Sequence, residues 1–198
     1  MNSCPDLSAF DNRWYNPGRP AIVRALWFFC GLPILRSSLI PSSALRRSLL
    51  RIFGANIGCA VVIKPGVRIK YPWFLSVGDH SWIGEDVWID NLARVVIGHD
   101  ACVSQGTYLC TGNHDWSDPS FGLVVKPITL RDGSWIGARS VICPGVTVGE
   151  CGVTGAASTV SSDVPPYEVH AGNPARFVRT RNLREYSSPS RDRQGAVT

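Results

Sequence analysis

An aliphatic residue recurs every six positions through the middle of the chain. Fourteen of the fifteen starting positions of this period are aliphatic, and Thr154 is the exception. A six-residue period does not fit the 3.6-residue turn of a helix, whereas it fits a short strand followed by a tight turn. Three such strands close one triangular coil, and stacked coils pair their strands, so the pattern predicts a parallel β-helix. The starting positions are Ile57, Ile63, Ile69, Val77, Ile83, Ile89, Ile97, Val103, Leu109, Leu130, Ile136, Ile142, Val148, Thr154 and Val160.

The period also sets the predicted organisation of the chain. Two apolar stretches before the first coil, 21–30 and 44–53, are typical of helices, the second capped by Ser42 or Ser43. Such helices would cover the open edge of the first coil. The predicted segments are a helical cap over 1–56, the β-helix over 57–165 with a loop at 113–128 where the period breaks, an exit segment with a short helix over 166–186, and a disordered tail over 187–198.

Length and composition narrow the class of protein. A chain of 198 residues with 44% hydrophobic content is expected to form a single domain. Its seven cysteines lack CxxC spacing, so we expect small buried thiols rather than a redox motif or zinc knuckle. The first residues lack a signal-peptide pattern, and the longest apolar stretch, 21–35, is short and interrupted. We therefore expect a cytoplasmic protein.

The net charge of +5 is unevenly distributed. Residues 1–56 and 171–198 are basic, and the part between them is acidic. Basic ends favour contact with phosphates or anionic lipid, and the chain has no recognisable nucleic-acid motif, so nucleic acid is not an expected partner. The aromatic, Arg-rich N-terminal segment is either a cap packed on the β-helix or an interfacial helix in peripheral contact with an anionic membrane.

Histidine supplies the clearest candidate chemistry. His114 opens the predicted loop within the run GNHDW, and a histidine suits proton transfer near neutral pH. The alternative is an ordinary surface histidine. His80 and His99 lie nineteen residues apart, near one edge of successive coils, and form no tight cluster, so we expect no metal site.

Longer motifs carry a resemblance to a known family. The runs WIGARSVICPGVTVG and DVPPYEVHAGNPAR resemble the hexapeptide-repeat acyltransferases, and NRWYNPGRP, LLRIFGANIG and SQGTYLCTGNHDW resemble the O-acetyltransferases of colanic-acid and exopolysaccharide biosynthesis. The resemblance covers about residues 12–181. It implies a left-handed β-helix, a homotrimer with the coenzyme between neighbouring copies, acetyl-CoA as acyl donor, and a sugar acceptor, lipid-linked or nucleotide-linked.

The same resemblance implies roles for individual residues. His114 would remove the proton of the acceptor hydroxyl. Ser162 stands where many relatives have a lysine, so one phosphate contact of the family is in doubt. The implied donor-binding residues are Trp135, Ala138, Ala156, Ser161, Arg176 and Arg179, and the implied acceptor-binding residues are Asp90, Asn91, Asn113 and Asp115. Two alternatives stay open, namely acetylation of a small non-sugar acceptor and a β-helical scaffold without catalysis.

Overall fold

Three parallel sheets form the body of the molecule, and they confirm the predicted parallel β-helix. The computed structural model describes residues 4–184. Each coil contributes one strand to each sheet, which gives five complete coils and the start of a sixth. Sheet A contains β1 (Asn56–Ile57), β4 (Leu75–Val77), β7 (Val95–Ile97), β12 (Ile128–Leu130) and β15 (Thr147–Val148). Sheet B contains β2 (Val62–Ile63), β5 (Trp82–Ile83), β8 (Cys102–Val103), β13 (Trp135–Ile136) and β16 (Val153–Thr154), followed by β18 (Glu168–Gly172) and β19 (Ala175–Thr180). Sheet C contains β3 (Arg68–Ile69), β6 (Trp88–Asp90), β9 (Tyr108–Cys110), β14 (Val141–Ile142) and β17 (Thr159–Val160).

The six-residue period defines the core. All fifteen period positions point inward, and none is more than 5% exposed. Thr154 is buried like its aliphatic counterparts, and its hydroxyl oxygen accepts a hydrogen bond from the amide of Gly137 at 3.3 Å. A polar side chain is tolerated in this core because its oxygen has a donor.

The corners between sheets B and C repeat one backbone conformation. Gly66, Asp86, Gly106, Arg139 and Ala157 all have positive φ values, between 56° and 78°. This left-handed conformation turns the chain sharply while the flanking strands stay paired with the coils above and below. The corners therefore stack in line and leave a smooth edge along the β-helix.

A helical cap closes the first coil. Helix α1 (Ala21–Leu26) continues through a π-helical turn (Trp27–Gly31) into α2 (Leu32–Arg36), and α3 (Ser43–Ile52) follows. The first helix is longer than the predicted 21–30, because the π-helical turn admits Pro33 near the start of α2. Ser42 caps α3 by accepting a hydrogen bond from the amide of Leu45. Two short 3-10 turns lie at Leu7–Ala9 and Pro72–Phe74.

Side chains of the cap satisfy carbonyl groups along the open edge of the first coil. Trp27 donates to the Ile69 carbonyl at 3.0 Å, and Arg47 donates to the Val61 carbonyl at 2.7 Å. Unpaired carbonyls at a sheet edge otherwise attract another strand. Two further side chains donate to carbonyls of this edge. Ser43 donates to the carbonyl of Ile63, and Arg51 donates to that of Ile57.

The exit segment differs from the prediction. The segment 166–186 is predicted to end in a short helix, whereas its described part, up to residue 184, contains the antiparallel hairpin β18–β19 and no helix. Strand β18 joins sheet B beside β16, with Val169 paired to Val153, because the last coil offers an edge of free backbone groups. The predicted disordered tail, 187–198, lies outside the described residues.

The seven cysteines are free thiols, and the expectation that they are buried is wrong. Cys4, Cys30 and Cys59 are exposed. Cys30 lies on the outer side of the first helix, and Cys59 lies at a corner, where side chains face solvent. The others are half-buried, namely Cys102, Cys110, Cys143 and Cys151.

Candidate active site

His114 lies on a hairpin that leaves the β-helix after β9. Strands β10 (Gly112–His114) and β11 (Leu123–Val125) form this hairpin, and His114 pairs with Leu123. The predicted loop at 113–128 therefore begins as paired backbone and pairs again near its end. The pairing holds His114 on a two-stranded arm that projects from the wall of the β-helix.

Two contacts orient the imidazole ring of His114. Its Nδ1 atom lies 2.8 Å from the carbonyl oxygen of Phe121, and the two rings stack with centroids 4.4 Å apart. Phe10 packs against the same ring at a centroid distance of 5.5 Å. Because a carbonyl oxygen only accepts hydrogen bonds, Nδ1 carries the hydrogen, and the neutral ring keeps its lone pair on Nε2. His114 is thus prepared to accept a proton at Nε2.

His114 lines a cavity of about 530 Å³, here called the His114 cavity. Its walls come from the N-terminal segment, helix α1, the corners that follow β3 and β6, and the hairpin. Tyr15 donates a hydrogen bond to the Leu92 carbonyl at 2.8 Å, and burial raises the pKa of Tyr15, so its phenol stays protonated at neutral pH. The other polar or charged walls are Asn12, Arg24, Lys70 and Tyr71.

A second cavity of about 350 Å³ shares Arg24, Lys70 and Tyr71 with the first and is lined by Asp90. Lys70 lies 3.0 Å from Asp90, and Tyr108 donates to the other Asp90 oxygen at 3.1 Å. We call this second cavity the Asp90 cavity. Its carboxylate, ammonium group and phenols offer hydrogen-bond acceptors and donors within one small volume.

Aromatic rings extend the Asp90 cavity along sheet C. Trp88 and Tyr108 stack with centroids 4.5 Å apart, and the Arg68 guanidinium lies 5.1 Å from the Trp88 ring. Burial raises the pKa of Tyr108, which keeps the Tyr108 phenol neutral. The cavity therefore has both an apolar wall and a polar wall.

A longer groove of about 1070 Å³ follows the face of sheet B and the corners beyond it; we call it the Trp135 groove. Its floor is flat because a Cβ atom on Gly137 would lie only 2.6 Å from the backbone of Ala156. Trp135 forms one side and donates to the Ser104 hydroxyl at 3.0 Å. Within residues 4–184, no Asp or Glu lines this groove, whereas Arg179, Arg181 and Arg184 do. Such a groove suits an elongated anionic ligand.

The His114 cavity and the Trp135 groove share no lining residue. His114 belongs to the corner between sheets C and A, whereas the groove follows sheet B. In one chain, His114 and the arginine-lined groove are therefore parts of different faces.

The described part of the chain shows neither a metal cluster nor a spanning helix. Over residues 4–184, no three His, Cys, Asp or Glu side chains lie close enough together to hold a metal ion. The helices in that range are too short or too polar to cross a bilayer. His80 and His99 lie at corners of the β-helix, where the nearest carboxylates are those of Asp100 and Asp79.

Comparison with known proteins decides the family. No family model matches the chain. The Escherichia coli acetyltransferase WcaF, named for colanic acid biosynthesis, is 40% identical over 176 residues, which span 89% of this chain and 97% of WcaF. The chain belongs to the hexapeptide-repeat acetyltransferases.

Two further acetyltransferases support this assignment. The galactoside O-acetyltransferase of Escherichia coli is 32% identical over 143 residues, which span 71% of this chain and 70% of that enzyme. The structure of the hexapeptide-repeat acetyltransferase VCA0836 from Vibrio cholerae, complexed with acetyl-CoA, matches with a TM-score of 0.74 and 28% identity, covering 82% of this chain and 88% of that one.

Four of the six donor residues predicted for this acetyltransferase line the Trp135 groove, namely Trp135, Ala138, Ala156 and Arg179. Ser161 does not line it, because it follows the sheet C strand β17 at a different corner, and Arg176 also lies outside it. Sequence reasoning missed Arg181 and Arg184, although both continue the basic run of the exit segment.

Of the four predicted acceptor residues, Asp90 alone lines a cavity described above. Asn91 is fully buried, and its amide accepts from and donates to the backbone of Tyr71, so its expected contact with an acceptor is corrected to a structural role. Asn113 accepts a hydrogen bond from the amide of His114, and Asp115 accepts one from the amide of Ser117. The hydrogen bonds from Ser117 lower the pKa of Asp115.

Sequence reasoning also missed Tyr15, Arg24 and Tyr71 as walls of the His114 cavity. Tyr15 lies within NRWYNPGRP, one of the motifs that carried the family resemblance. Its position there was a usable signal. Tyr71 lies in the run VVIKPGVRIKYPWFLSVGD, which resembles the same family, whereas Arg24 stands in a segment without a distinctive pattern.

Proposed function

We propose that this acetyltransferase transfers acetyl from acetyl-CoA to a sugar hydroxyl of an exopolysaccharide or other surface glycan, with His114 as general base. The observation that carries the proposal is the His114 ring, whose Nδ1 is held by the Phe121 carbonyl beside a cavity of polar and aromatic groups. The 40% identity to a relative named for colanic acid biosynthesis favours a glycan acceptor.

Acetyl-CoA binds in the Trp135 groove. Its phosphates lie near Arg179, Arg181 and Arg184, because guanidinium groups hold phosphate oxygens in charge-assisted hydrogen bonds. The pantetheine arm then follows the flat floor of the groove, and the thioester lies at the end away from the arginines, near Trp135. The use of acetyl-CoA as donor supports a cytoplasmic enzyme, since acetyl-CoA is a cytoplasmic metabolite.

The reaction is a direct transfer. Nε2 of His114 takes the proton of the acceptor hydroxyl while the hydroxyl oxygen bonds to the thioester carbonyl carbon. The tetrahedral intermediate carries its negative charge on the former carbonyl oxygen, which a backbone amide stabilises. Collapse breaks the carbon–sulfur bond, and the His114 imidazolium returns its proton to the leaving thiolate, so the products are the acetyl ester and CoA.

The acceptor sugar occupies the His114 and Asp90 cavities. Asp90 and Tyr71 bind hydroxyl groups, and Trp88 packs against an apolar face of the sugar ring. A lipid-linked or nucleotide-linked sugar would leave its phosphates near Arg24 and Lys70, which line both cavities.

A homotrimer completes the active site. The base and the donor groove belong to different faces of one chain and share no lining residue. A closed threefold ring places one face of each copy against a different face of the next. Such a ring would bring His114 of one copy to the thioester end of its neighbour's groove.

An acceptor screen tests the proposal. Purified enzyme is incubated with acetyl-CoA and a panel of lipid-linked and nucleotide-linked sugars, and mass spectrometry detects acetyl addition. His114→Asn should lower kcat by about 100-fold or more without changing the melting temperature. His80→Asn is the matched control, since His80 is exposed at a corner with positive φ that asparagine tolerates. Wild-type turnover in His114→Asn would remove the base from the mechanism.

A further inference from the structure

The helical segment 21–36 is apolar on two opposite sides. On its inner side, Trp27, Gly31 and Leu35 are buried against the first coil and the cap. On its outer side, Ile22, Leu26, Phe29 and Pro33 are exposed, and Phe29 is 74% accessible. These outer residues are spaced by four, three and four positions, so they form one stripe along the helix.

Nothing within residues 4–184 covers the outer stripe. A helix that is apolar around its whole circumference is typical of one buried on all sides. Here one side meets the protein and the other meets solvent. An exposed apolar patch of this kind marks a surface that binds something else.

The charge around the stripe identifies the class of partner. Residues 12–78 contain ten Arg and Lys and no Asp or Glu. Arg19 precedes the stripe and Arg36 ends it, and both belong to this acid-free stretch. The cap that carries the stripe therefore has basic but no acidic side chains over residues 12–56, which matches a bilayer surface with anionic headgroups. Two copies of the stripe would instead place like charges face to face.

Phe28 is excluded from the stripe, because it also lines the Asp90 cavity. An open groove beside the segment is lined by Phe28, Phe29, Pro33 and Arg36 and, on the β-helix, by Glu85 and Asp86. Carboxylates at that position would repel anionic headgroups. The docking surface is therefore limited to the outer side of the segment.

We propose that the outer face of segment 21–36 docks on anionic membranes. The segment lies in the plane of the interface, with Ile22, Leu26 and Phe29 among the headgroups and upper acyl chains and with Arg19 and Arg36 at the lipid phosphates. Such a helix lies on the bilayer and does not cross it, in agreement with its short length.

The docked helix also borders the active site. Arg24, on the same segment, lines both the His114 and the Asp90 cavities. A helix with its side chains is about 10 Å thick, so docking brings both cavities within that distance of the lipid surface. On the proposed function, this arrangement gives the enzyme access to a sugar acceptor carried on lipid.

Vesicle flotation tests the docking. The full chain is mixed with neutral phosphatidylcholine vesicles or with vesicles containing phosphatidylglycerol, without acetyl-CoA or acceptor. We expect at least about 10-fold more bound protein on the anionic vesicles, with release as salt rises. Replacing Ile22, Leu26 and Phe29 together with Gln should reduce binding by about 10-fold or more.

A matched triple variant controls for the general loss of exposed apolar surface. Ile52, Trp116 and Val178 are also exposed but lie away from the stripe, and their replacement with Gln should leave binding unchanged. Circular dichroism confirms that each variant is folded. If the triple Gln variant of the stripe is not folded, the single variant Phe29→Gln replaces it in the assay.

Three results overturn the proposal. The first is no binding to either vesicle type. The second is wild-type binding by the variant in which Ile22, Leu26 and Phe29 are replaced with Gln. The third is that the protein does not float with vesicles and that this variant has a lower oligomeric mass than the wild type. The last would show that the stripe lies between copies of this chain. Because the assay contains no donor or acceptor, its outcome is independent of whether acetyl transfer to a sugar is observed.

Discussion

Arg46 is a charged side chain held entirely inside the cap. It is 1% exposed, and its guanidinium donates to the carbonyl of Leu35 at 3.1 Å and to that of Ser37 at 2.8 Å. It also donates to the carbonyl of Ile40. These bonds tie the chain between α2 and α3 to the side of α3. A single side chain thus replaces the backbone pairing that this connection lacks.

We predict that Arg46→Met lowers the free energy of unfolding by about 2–4 kcal/mol, because buried carbonyls lose their donor. Arg13→Met is the control. Arg13 is exposed and pairs with Asp11, so its loss should change stability by less than about 0.5 kcal/mol. Urea unfolding followed by tryptophan fluorescence measures both. Equal stability of the two variants would show that water replaces the Arg46 bonds.

The sequence pattern did not predict the roles of single buried polar residues such as Arg46. Arg46, Arg47 and Arg51 stand in one short helix, and although the helical period puts Arg46 on the face of Leu50, it does not say whether the guanidinium is buried or reaches solvent. Asn91 was misassigned for the same reason, since a buried asparagine that bonds backbone and an exposed one that binds sugar have the same flanking residues. In both cases the deciding fact is which backbone groups lie nearby in space.

The elements of the β-helix were predictable because one pattern is repeated fifteen times. The hairpin β10–β11 and the exit hairpin β18–β19 were not, since each occurs once. The exit strand forms where sheet B offers an unpaired edge, and that edge exists only after the coils have stacked. Local sequence therefore predicted the repeated elements, whereas tertiary context determined the unique ones.

The hairpin is expected to act through the orientation it gives His114. We predict that Phe121→Ala lowers kcat by about 10-fold and leaves the KM for acetyl-CoA unchanged, because the stacked ring no longer holds the imidazole in place. Steady-state kinetics measures both constants. Trp116→Ala, which removes another hairpin aromatic that is 83% exposed, should retain wild-type values. If Phe121→Ala keeps the wild-type kcat, the carbonyl bond alone orients His114.

At the scale of the whole molecule, the separation of His114 from the Trp135 groove leads to a test of the proposed shared active site. His114→Asn removes the proposed base, and Ala138→Trp fills the proposed donor groove with a bulky ring. We predict that each variant alone is inactive, whereas trimers reassembled from equal amounts of both regain about one quarter of the wild-type activity. In a random mixture, one site in four combines an intact His114 from one chain with an intact groove from its neighbour.

Reassembled trimers at background activity would place both halves of the site within one chain. Two controls accompany the measurement. Light scattering confirms that the mixed sample is trimeric, and mixing each variant with wild-type chains shows that the variants exchange into trimers.

The sequence separation of paired strands bears on how easily the hairpin that carries His114 can change in length. In the first three coils neighbouring strands pair residues twenty positions apart, as Ile57 does with Val77, whereas Ile97 pairs with Leu130 across the hairpin. Closing that longer segment costs only about 0.4 kcal/mol more than closing an ordinary coil, because loop entropy grows slowly with length. The arm can therefore lengthen, shorten or change its tip while the stack beneath it keeps its stability. The enzyme's chemistry and its scaffold are open to change by separate mutations.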